Sequence, residues 1–183
     1  EQMTMNTDKR YYTRHPEFYM YLHPEYPSYN NQLNARDRML EQNPNLRFIG
    51  AHLGSMEWNT DELAKRLDRF PNMAVDMAAR ISHLQFQTMQ DWQKVHDFFI
   101  QYQDRLIYGT DRIADGTKTP EEMKNFVHDA WLNDWKFFCT GYTMRSGSLE
   151  GPFQSLQLPR PVADKKKKKN AEAWFPGMKK MKR

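Results

Sequence analysis

Three polar side chains that could bind a metal ion or move a proton come at the ends of short apolar segments. They are His52, Asp76 and Asp111. A neutral imidazole and a carboxylate are the groups that a divalent metal or a general acid–base step requires. Each also has a simpler interpretation, because a lone histidine is commonly a hydrogen-bonded structural residue and an aspartate after Gly-Thr is typical of a turn. The residue types therefore define candidates and leave their roles open.

Neighbouring residues add candidates for binding a substrate. Asp76 lies in an apolar segment, where an unpaired carboxylate would be costly, so we expect it to form an ion pair with Arg80. Alternatively, the Arg80 guanidinium could bind a substrate carboxylate through two parallel hydrogen bonds. Glu57 and Trp58 follow His52 and could line the same pocket, although Trp58 could instead pack against the start of the next helix.

The elements that must position these side chains form a repeat. Apolar segments near residues 47–52, 73–77 and 105–109 are each followed by a loop and a helical pattern. A spacing of about 30 residues between strands suits one βα unit per strand, and continuous apolar segments are typical of parallel strands buried on both faces. The sequence therefore predicts an α/β fold. In parallel barrels the reactive groups lie at the carboxyl ends of the strands, where these candidates are found.

Capping residues and apolar periodicity predict the helices between and around these strands. The predicted helices span about residues 28–42, 59–70, 87–102, 119–138 and 161–175, after an irregular aromatic segment over the first 26 residues. Ser28 and Thr119 are predicted N-caps, and Asn59 with Glu62 has the spacing of a capping box. Leu33, Met39, Leu40, Trp92, Val95, Phe98 and Phe99 are predicted to face inward.

Charge is distributed unevenly along the chain. The 183 residues carry a net charge of +4, but residues 161–183 alone hold nine basic and two acidic residues, which leaves a net −3 in the first 160. A basic end on an acidic body attracts polyanions nonspecifically, so no specific nucleic-acid partner is expected. Five consecutive lysines, Lys165 to Lys169, present no apolar face, and we expect this segment to be solvated.

Several classes of protein are excluded or disfavoured. Cys139 is the one cysteine, so the chain has no internal disulfide and no cluster of thiolate metal ligands. We expect no membrane span, because no apolar stretch approaches about 18 residues, and the first residues do not resemble a secretion signal. These features favour a cytoplasmic location. They leave a secreted or periplasmic one open, since we expect the native N-terminus to lie outside this sequence.

Four segments together resemble the amidohydrolase-related metal-dependent enzymes. They are FIGAHLG at 48–54, FPNMAVD at 70–76, YQDRLIYGTD at 102–111 and the Asn-Ala pair at 170–171. Their order and spacing over about residues 26–170 are most similar to the subgroup that includes aminocarboxymuconate semialdehyde decarboxylase. The resemblance implies that residues 1–175 are the C-terminal part of a (β/α)8 TIM barrel, with 176–183 as a basic tail. Since a barrel has eight strands and the sequence predicts three, the N-terminal half is expected to come from elsewhere.

The resemblance also implies a divalent metal, usually zinc, with manganese as the alternative. In such enzymes the metal is held by a His-x-His pair of the first strand, a histidine of the fifth and an aspartate of the eighth. Asp111 matches that aspartate, and His52 matches the sixth-strand histidine beside the metal, so both are candidate metal-binding and catalytic residues. The His-x-His pair is absent from this sequence. His15 and His23 match positions after the fifth strand, so its histidine is absent as well.

The implied function is a metal-dependent hydrolase that acts on a small carbonyl or carboxylate substrate through metal-activated water. A decarboxylase of the same superfamily is the first alternative. A noncatalytic barrel fragment, acting as a structural or binding subunit, is the second. We expect the fragment alone to be inactive, with the N-terminal half of the barrel as its partner and a homo-oligomer as a further possibility.

Overall fold

Three short parallel strands form the centre of the computed structural model, which describes residues 11–175 and 177–178. They are β1 (Phe48–Gly50), β2 (Met73–Asp76) and β3 (Leu106–Ile107), and β2 lies between the other two. Parallel pairing places the carboxyl ends of all three strands at one edge of the sheet. The predicted parallel α/β arrangement is confirmed. Within the described residues the sheet has three strands and does not close into a barrel.

Helices and one hairpin surround this sheet. The helices are α1 (Tyr29–Gln42), α2 (Thr60–Arg69), α3 (Ile81–Gln90), α4 (Trp92–Gln101), α5 (Pro120–Cys139), α6 (Arg160–Asp164) and α7 (Asn170–Trp174). A π-helical turn over Lys165–Lys169 joins the last two, and short 3-10 turns at Pro16–Phe18 and Met20–Leu22 precede α1. Strands β4 (Thr143–Met144) and β5 (Phe153–Gln154) pair antiparallel. Among the described residues, no helix combines the length and apolar character needed to cross a membrane.

All three predicted N-terminal residues cap their helices, but the capping box predicted at Asn59 does not form. The Ser28 hydroxyl accepts a hydrogen bond from the Asn31 amide at 3.2 Å, and Thr119 forms a complete capping box at the start of α5. Asn59 caps α2, but its side chain accepts from the Asp61 amide, and the Glu62 carboxylate pairs with basic residues further along the helix. The Asn59 capping box is therefore wrong, because the ion pairs of Glu62 hold its side chain away from the cap.

The helix predicted over 87–102 is two helices. The first, α3, begins at Ile81 and ends before Asp91, whose extended backbone interrupts the helical path. The Asp91 carboxylate then caps α4 by accepting a hydrogen bond from the Lys94 amide at 3.0 Å. An aspartate in the middle of an apolar pattern thus marks an N-cap, which is the position that its short acceptor side chain favours.

The core lies between the sheet and the helices. Inward-facing predictions for Leu33, Leu40, Val95, Phe98 and Phe99 are confirmed, since all are at most 7% exposed. Met39 is 37% exposed, so its inward prediction is wrong. Its neighbour Leu40 fills the buried position on that turn of α1, and the two side chains point to different faces of the helix. The core is extended by Phe137, Phe138 and Phe153 beside α5 and β5.

The lysine segment is not solvated throughout, contrary to expectation. Lys166 is 1% exposed and lies on an inward face with Val162 and Asn170, at positions four residues apart. Its ammonium donates to the Gln103 carbonyl at 2.7 Å, and the Asn170 amide donates to the same oxygen at 2.7 Å. The aliphatic stem of a lysine can occupy an apolar face when a carbonyl accepts from the ammonium. Burial lowers the pKa of Lys166 to about 7.

Replacing Lys166 by Met is expected to stabilise the protein below pH 7 by about 2 kcal/mol. The folded pKa is about 7 and the ordinary value is 10.5, so burying the charge costs free energy at low pH. This cost disappears between pH 7 and 10.5, where the folded state loses its proton while the unfolded state keeps it. The stabilisation by Lys166→Met should therefore shrink as the pH rises through that range.

Urea unfolding at pH 6 and pH 10 measures this difference. Lys167→Met is the matched control, because Lys167 is exposed and adjacent in sequence. It should change the free energy of unfolding by less than about 0.5 kcal/mol at either pH. A destabilised Lys166→Met protein at pH 6 would contradict the assigned cost of burial.

Candidate functional site

His52 lies in a left-handed turn at the carboxyl end of β1. Four successive residues have positive φ: His52 at 54°, Leu53 at 56°, Gly54 at 62° and Ser55 at 60°. Glycine adopts this conformation readily, but each of the other three pays about 1–2 kcal/mol for it. Strain of this kind persists where surrounding contacts fix the backbone, and it is concentrated at functional sites.

Asp76 fixes the backbone and, through Ala78, the ring of His52. The Asp76 Oδ1 atom accepts hydrogen bonds from the amides of His52 at 2.9 Å and Ala78 at 3.1 Å. The Ala78 carbonyl lies 2.8 Å from the His52 Nδ1 atom. Because a carbonyl only accepts, Nδ1 must carry the proton, and a neutral ring then has its lone pair on Nε2. No hydrogen bond among the described residues engages that Nε2 atom.

The predicted ion pair between Asp76 and Arg80 is wrong. The Arg80 Nε atom donates to the Glu57 carboxylate at 3.0 Å instead. Two backbone amides satisfy the partly buried Asp76 carboxylate, so it does not need a cation. The chain also turns at Ala79, which has a φ of 54°, before it reaches Arg80.

Glu57 and Trp58 lie on the loop that follows His52. The second carboxylate oxygen of Glu57 is buried and has no hydrogen-bond partner among the described residues. The indole N–H of Trp58 donates to the Tyr29 hydroxyl of α1 at 2.9 Å, so it does not bind the helix that follows Trp58. Arg80 and Glu57 are thus joined by an ion pair, and Trp58 is tied to α1. Their predicted contact with a substrate stays a prediction.

Asp111 is exposed beyond the end of β3, and its φ of 54° places it in a left-handed turn position. No hydrogen bond or ion pair of its carboxylate is found in the described part of the chain. The adjacent Arg112 packs its guanidinium over the Phe126 ring at 4.4 Å. No contact between the side chains of Asp111 and His52 is found in that part of the chain either.

A hydrogen-bonded pair near the same strand end was not predicted from sequence. The Tyr108 hydroxyl donates to the Asp134 carboxylate at 2.8 Å, which ties α5 to the residue after β3. Burial raises the pKa of Asp134 to about 6, and burial together with the Asp134 charge raises the pKa of Tyr108. The ring of Trp135 packs on Tyr108 at 5.1 Å. These contacts anchor the strand end from which Asp111 extends.

Replacing Asp76 by Ala is expected to destabilise the protein by about 2 kcal/mol, because the amides of His52 and Ala78 both lose their acceptor. Amide hydrogen exchange should accelerate at both residues, since exchange requires a broken hydrogen bond. Mass-spectrometric or NMR exchange measurements test this. Asp129→Ala on the exposed face of α5 is the control and should leave both amides protected. Unchanged protection at His52 in Asp76→Ala would contradict the assignment.

The described residues do not by themselves form a metal centre. Across residues 11–175 and 177–178, no group of three or more His, Cys, Asp or Glu side chains is placed to hold an ion. His52 Nε2 and the Asp111 carboxylate are available as metal ligands, whereas the Oδ1 atom of Asp76 and the Nδ1 atom of His52 are hydrogen-bonded to the backbone. Two donors are fewer than the three protein ligands of a typical catalytic zinc site.

A parallel sheet with reactive side chains at its carboxyl edge is characteristic of α/β enzymes. The sequence matches the amidohydrolase family model over residues 20–177, and the chain belongs to the amidohydrolase family. No curated protein and no solved structure matches the chain. Family membership indicates an enzyme of a superfamily of metal-dependent hydrolases, whose members typically use divalent metals.

Proposed function

We propose that this chain supplies the proton-transferring histidine of a hydrolase site that acts on a small carbonyl or carboxylate substrate. The observation that supports it is the 2.8 Å contact between His52 Nδ1 and the Ala78 carbonyl. This contact fixes the tautomer of a neutral ring and leaves Nε2 as the basic nitrogen. A positioned neutral imidazole is the group best matched to proton transfer near neutral pH.

In the proposed reaction, Nε2 accepts a proton from water as the water oxygen attacks a carbonyl carbon. The resulting imidazolium then donates that proton to the leaving group, which regenerates the neutral ring. Arg80 has N–H groups beyond the Nε that is bound to Glu57, and these could bind a substrate carboxylate. Glu57 holds the Arg80 guanidinium in place, and Trp58 lies next to Glu57 on the loop after β1.

A divalent metal, zinc or alternatively manganese, belongs to this proposal only with ligands from outside the described residues. His52 and Asp111 are the candidate ligands that this chain provides. Strands β1 and β3 each have one edge without a strand partner in the described part of the chain. We propose that the N-terminal half of a barrel pairs with these edges and contributes the remaining ligands.

A noncatalytic binding or structural role is the second candidate. It is favoured by the backbone-only hydrogen bonds of Asp76 and His52 and by the exposed position of Asp111. In this role the same contacts serve only to close the loop after β1. The two candidates differ in whether substitution of Asp111 changes metal content and turnover.

Turnover and metal content test these candidates together. Both are measured on the parent protein, meaning the unsubstituted chain combined with the proposed N-terminal half of the barrel. Hydrolysis is followed by proton release on a panel of esters and lactones, and decarboxylation by carbon dioxide release from aromatic acids. Metal is measured by elemental analysis before and after Asp111→Ala, with Asp129→Ala as the control. Proton release, together with metal that falls in Asp111→Ala, supports the hydrolase. Carbon dioxide release alone indicates the decarboxylase, and absence of both reactions and of metal indicates the noncatalytic role.

A further inference from the structure

Side chains of helix α1 bind the left-handed turn after β1 at carbonyls that Asp76 does not contact. The Arg36 Nη1 atom donates to the Gly54 carbonyl at 2.7 Å. The Tyr29 hydroxyl donates to the Ser55 carbonyl and accepts from the Trp58 indole. Tyr29 and Arg36 are two helical turns apart and therefore lie on the same face of α1. One helix face thus binds two consecutive carbonyls of the strained turn.

These hydrogen bonds are directed at a conformation that the local sequence does not favour. His52, Leu53 and Ser55 all carry a Cβ atom, which disfavours the left-handed region. Backbone hydrogen bonds within the turn join the Ser55 amide to the His52 carbonyl at 3.1 Å and the Met56 amide to the Leu53 carbonyl at 3.2 Å. These backbone bonds do not use the Gly54 and Ser55 carbonyls, which instead accept hydrogen bonds from side chains of α1.

The Arg36 side chain is itself fixed before it reaches the turn. Its Nη2 and Nε atoms donate to the Asp37 carboxylate at 3.1 and 3.3 Å, and 15% of the side chain is exposed. The Tyr29 hydroxyl is constrained by its two partners in a similar way. A group held in advance loses little conformational entropy when it makes its contact, so both side chains are suited to define a single backbone conformation.

We propose that Tyr29 and Arg36 are positioning residues that hold the left-handed turn and thereby aim the His52 imidazole. The catalytic significance of this arrangement rests on the function proposed above for His52. The geometric claim does not, because the orientation of the ring can be measured without a substrate. Loss of the two donors releases the Gly54 and Ser55 carbonyls, and His52 then loses the backbone position that places Nδ1 against the Ala78 carbonyl.

Nitrogen-15 NMR of the histidine-labelled chain tests the proposal. His52→Gln identifies the His52 ring signals among those of the six histidines. The unsubstituted chain should show a single Nδ1–H tautomer for this ring. The double variant Tyr29→Phe/Arg36→Met should show averaged signals of both tautomers, with exchange of the His52 amide at least about ten times faster. The matched control is Tyr142→Phe/Arg38→Met, which changes the same residue types at exposed positions.

A rescue variant separates positioning from a general loss of structure. Ser55→Gly relieves part of the strain at a φ of 60°, so adding it to the double variant should move the His52 ring signals back toward the parent. Parent-like signals in a folded double variant, or no rescue by Ser55→Gly, would overturn the proposal. If the double variant does not fold, Ser55→Gly alone decides, since a lower melting temperature than the parent would contradict a strained turn.

These results are independent of turnover. If His52→Gln leaves the activity of the parent protein unchanged, the proposed function fails while the ring signals still report on Tyr29 and Arg36. Conversely, parent-like signals in the double variant remove the positioning role and leave the function of His52 to the activity assay.

Discussion

On the proposed function, replacing His52 by Gln is expected to lower kcat by about 10²–10⁴-fold, the usual contribution of a positioned general acid–base group. Gln is close to histidine in size and polarity, and the Asp76 carboxylate still accepts from the amide of residue 52, so the loop should keep its conformation. It cannot accept and return a proton near neutral pH, so the loss should appear in kcat rather than in folding.

Steady-state kinetics on whichever ester, lactone or acid the parent protein turns over provides the measurement. The control is His128→Gln on the exposed surface of α5, which should retain parent-like kcat. The free energy of unfolding of His52→Gln should stay within about 1.5 kcal/mol of the parent, because the variant loses at most the one hydrogen bond to the Ala78 carbonyl. Parent-like kcat in His52→Gln would favour the noncatalytic role.

Replacing Asp37 by Ala is expected to destabilise the protein by about 3 kcal/mol, since it leaves the partly buried Arg36 guanidinium without its carboxylate partner, whereas Arg66 keeps Glu62 and Arg69 keeps Glu41. Asp37 lies on α1, is 3% exposed and faces the arginines of α2. Its carboxylate accepts from Arg36 at 3.1 Å and from Arg66 at 3.3 Å, with Arg69 at 3.7 Å. The same change also frees the Arg36 side chain, so its hydrogen bond to the Gly54 carbonyl in the turn after β1 should weaken as well.

Urea unfolding of Asp37→Ala measures the loss. Glu41→Ala is the control, because Glu41 pairs with Arg69 on the exposed surface of the same helix. Exposed pairs contribute about 0–1 kcal/mol, so this control should unfold close to the parent. Equal effects of the two substitutions would show that the buried carboxylate has no special role.

The sequence predicts local structure well where one residue type determines the outcome. Ser28 and Thr119 fix the starts of α1 and α5 because short oxygen side chains satisfy the free amides of the first turn. The parallel sheet follows from three apolar segments at regular spacing. His52 was found as a candidate for the same reason, since it is the first polar residue after β1.

Partners that are distant in sequence could not be predicted. Arg80 is near Asp76 in the chain, yet its charge is met by Glu57, because backbone amides already satisfy Asp76. Lys166 is buried because the Gln103 carbonyl accepts a hydrogen bond from its ammonium. The pattern of apolar residues along the sequence does not predict that contact. Closeness in sequence is a weak guide to pairing when the backbone can supply the competing donors or acceptors.

The left-handed turn is the clearest example of what the sequence did not reveal. His52, Leu53 and Ser55 carry no signal for positive φ, and Gly54 alone would suggest one such residue. In the proposed arrangement this conformation is set by Asp76, which binds the His52 amide, and by Tyr29 and Arg36, which bind the Ser55 and Gly54 carbonyls. Three elements must therefore be assembled before the orientation of His52 is defined.

The central claim is that the Ala78 carbonyl fixes the tautomer of the neutral His52 ring, with the proton on Nδ1 and Nε2 available to accept a proton. Nitrogen-15 NMR of the histidine-labelled protein at pH 8 tests this most directly, by showing which ring nitrogen of His52 carries the proton. The account predicts the Nδ1–H tautomer, with Nε2 unprotonated. A ring protonated on Nε2 would contradict it, because that nitrogen could not then receive a proton from water.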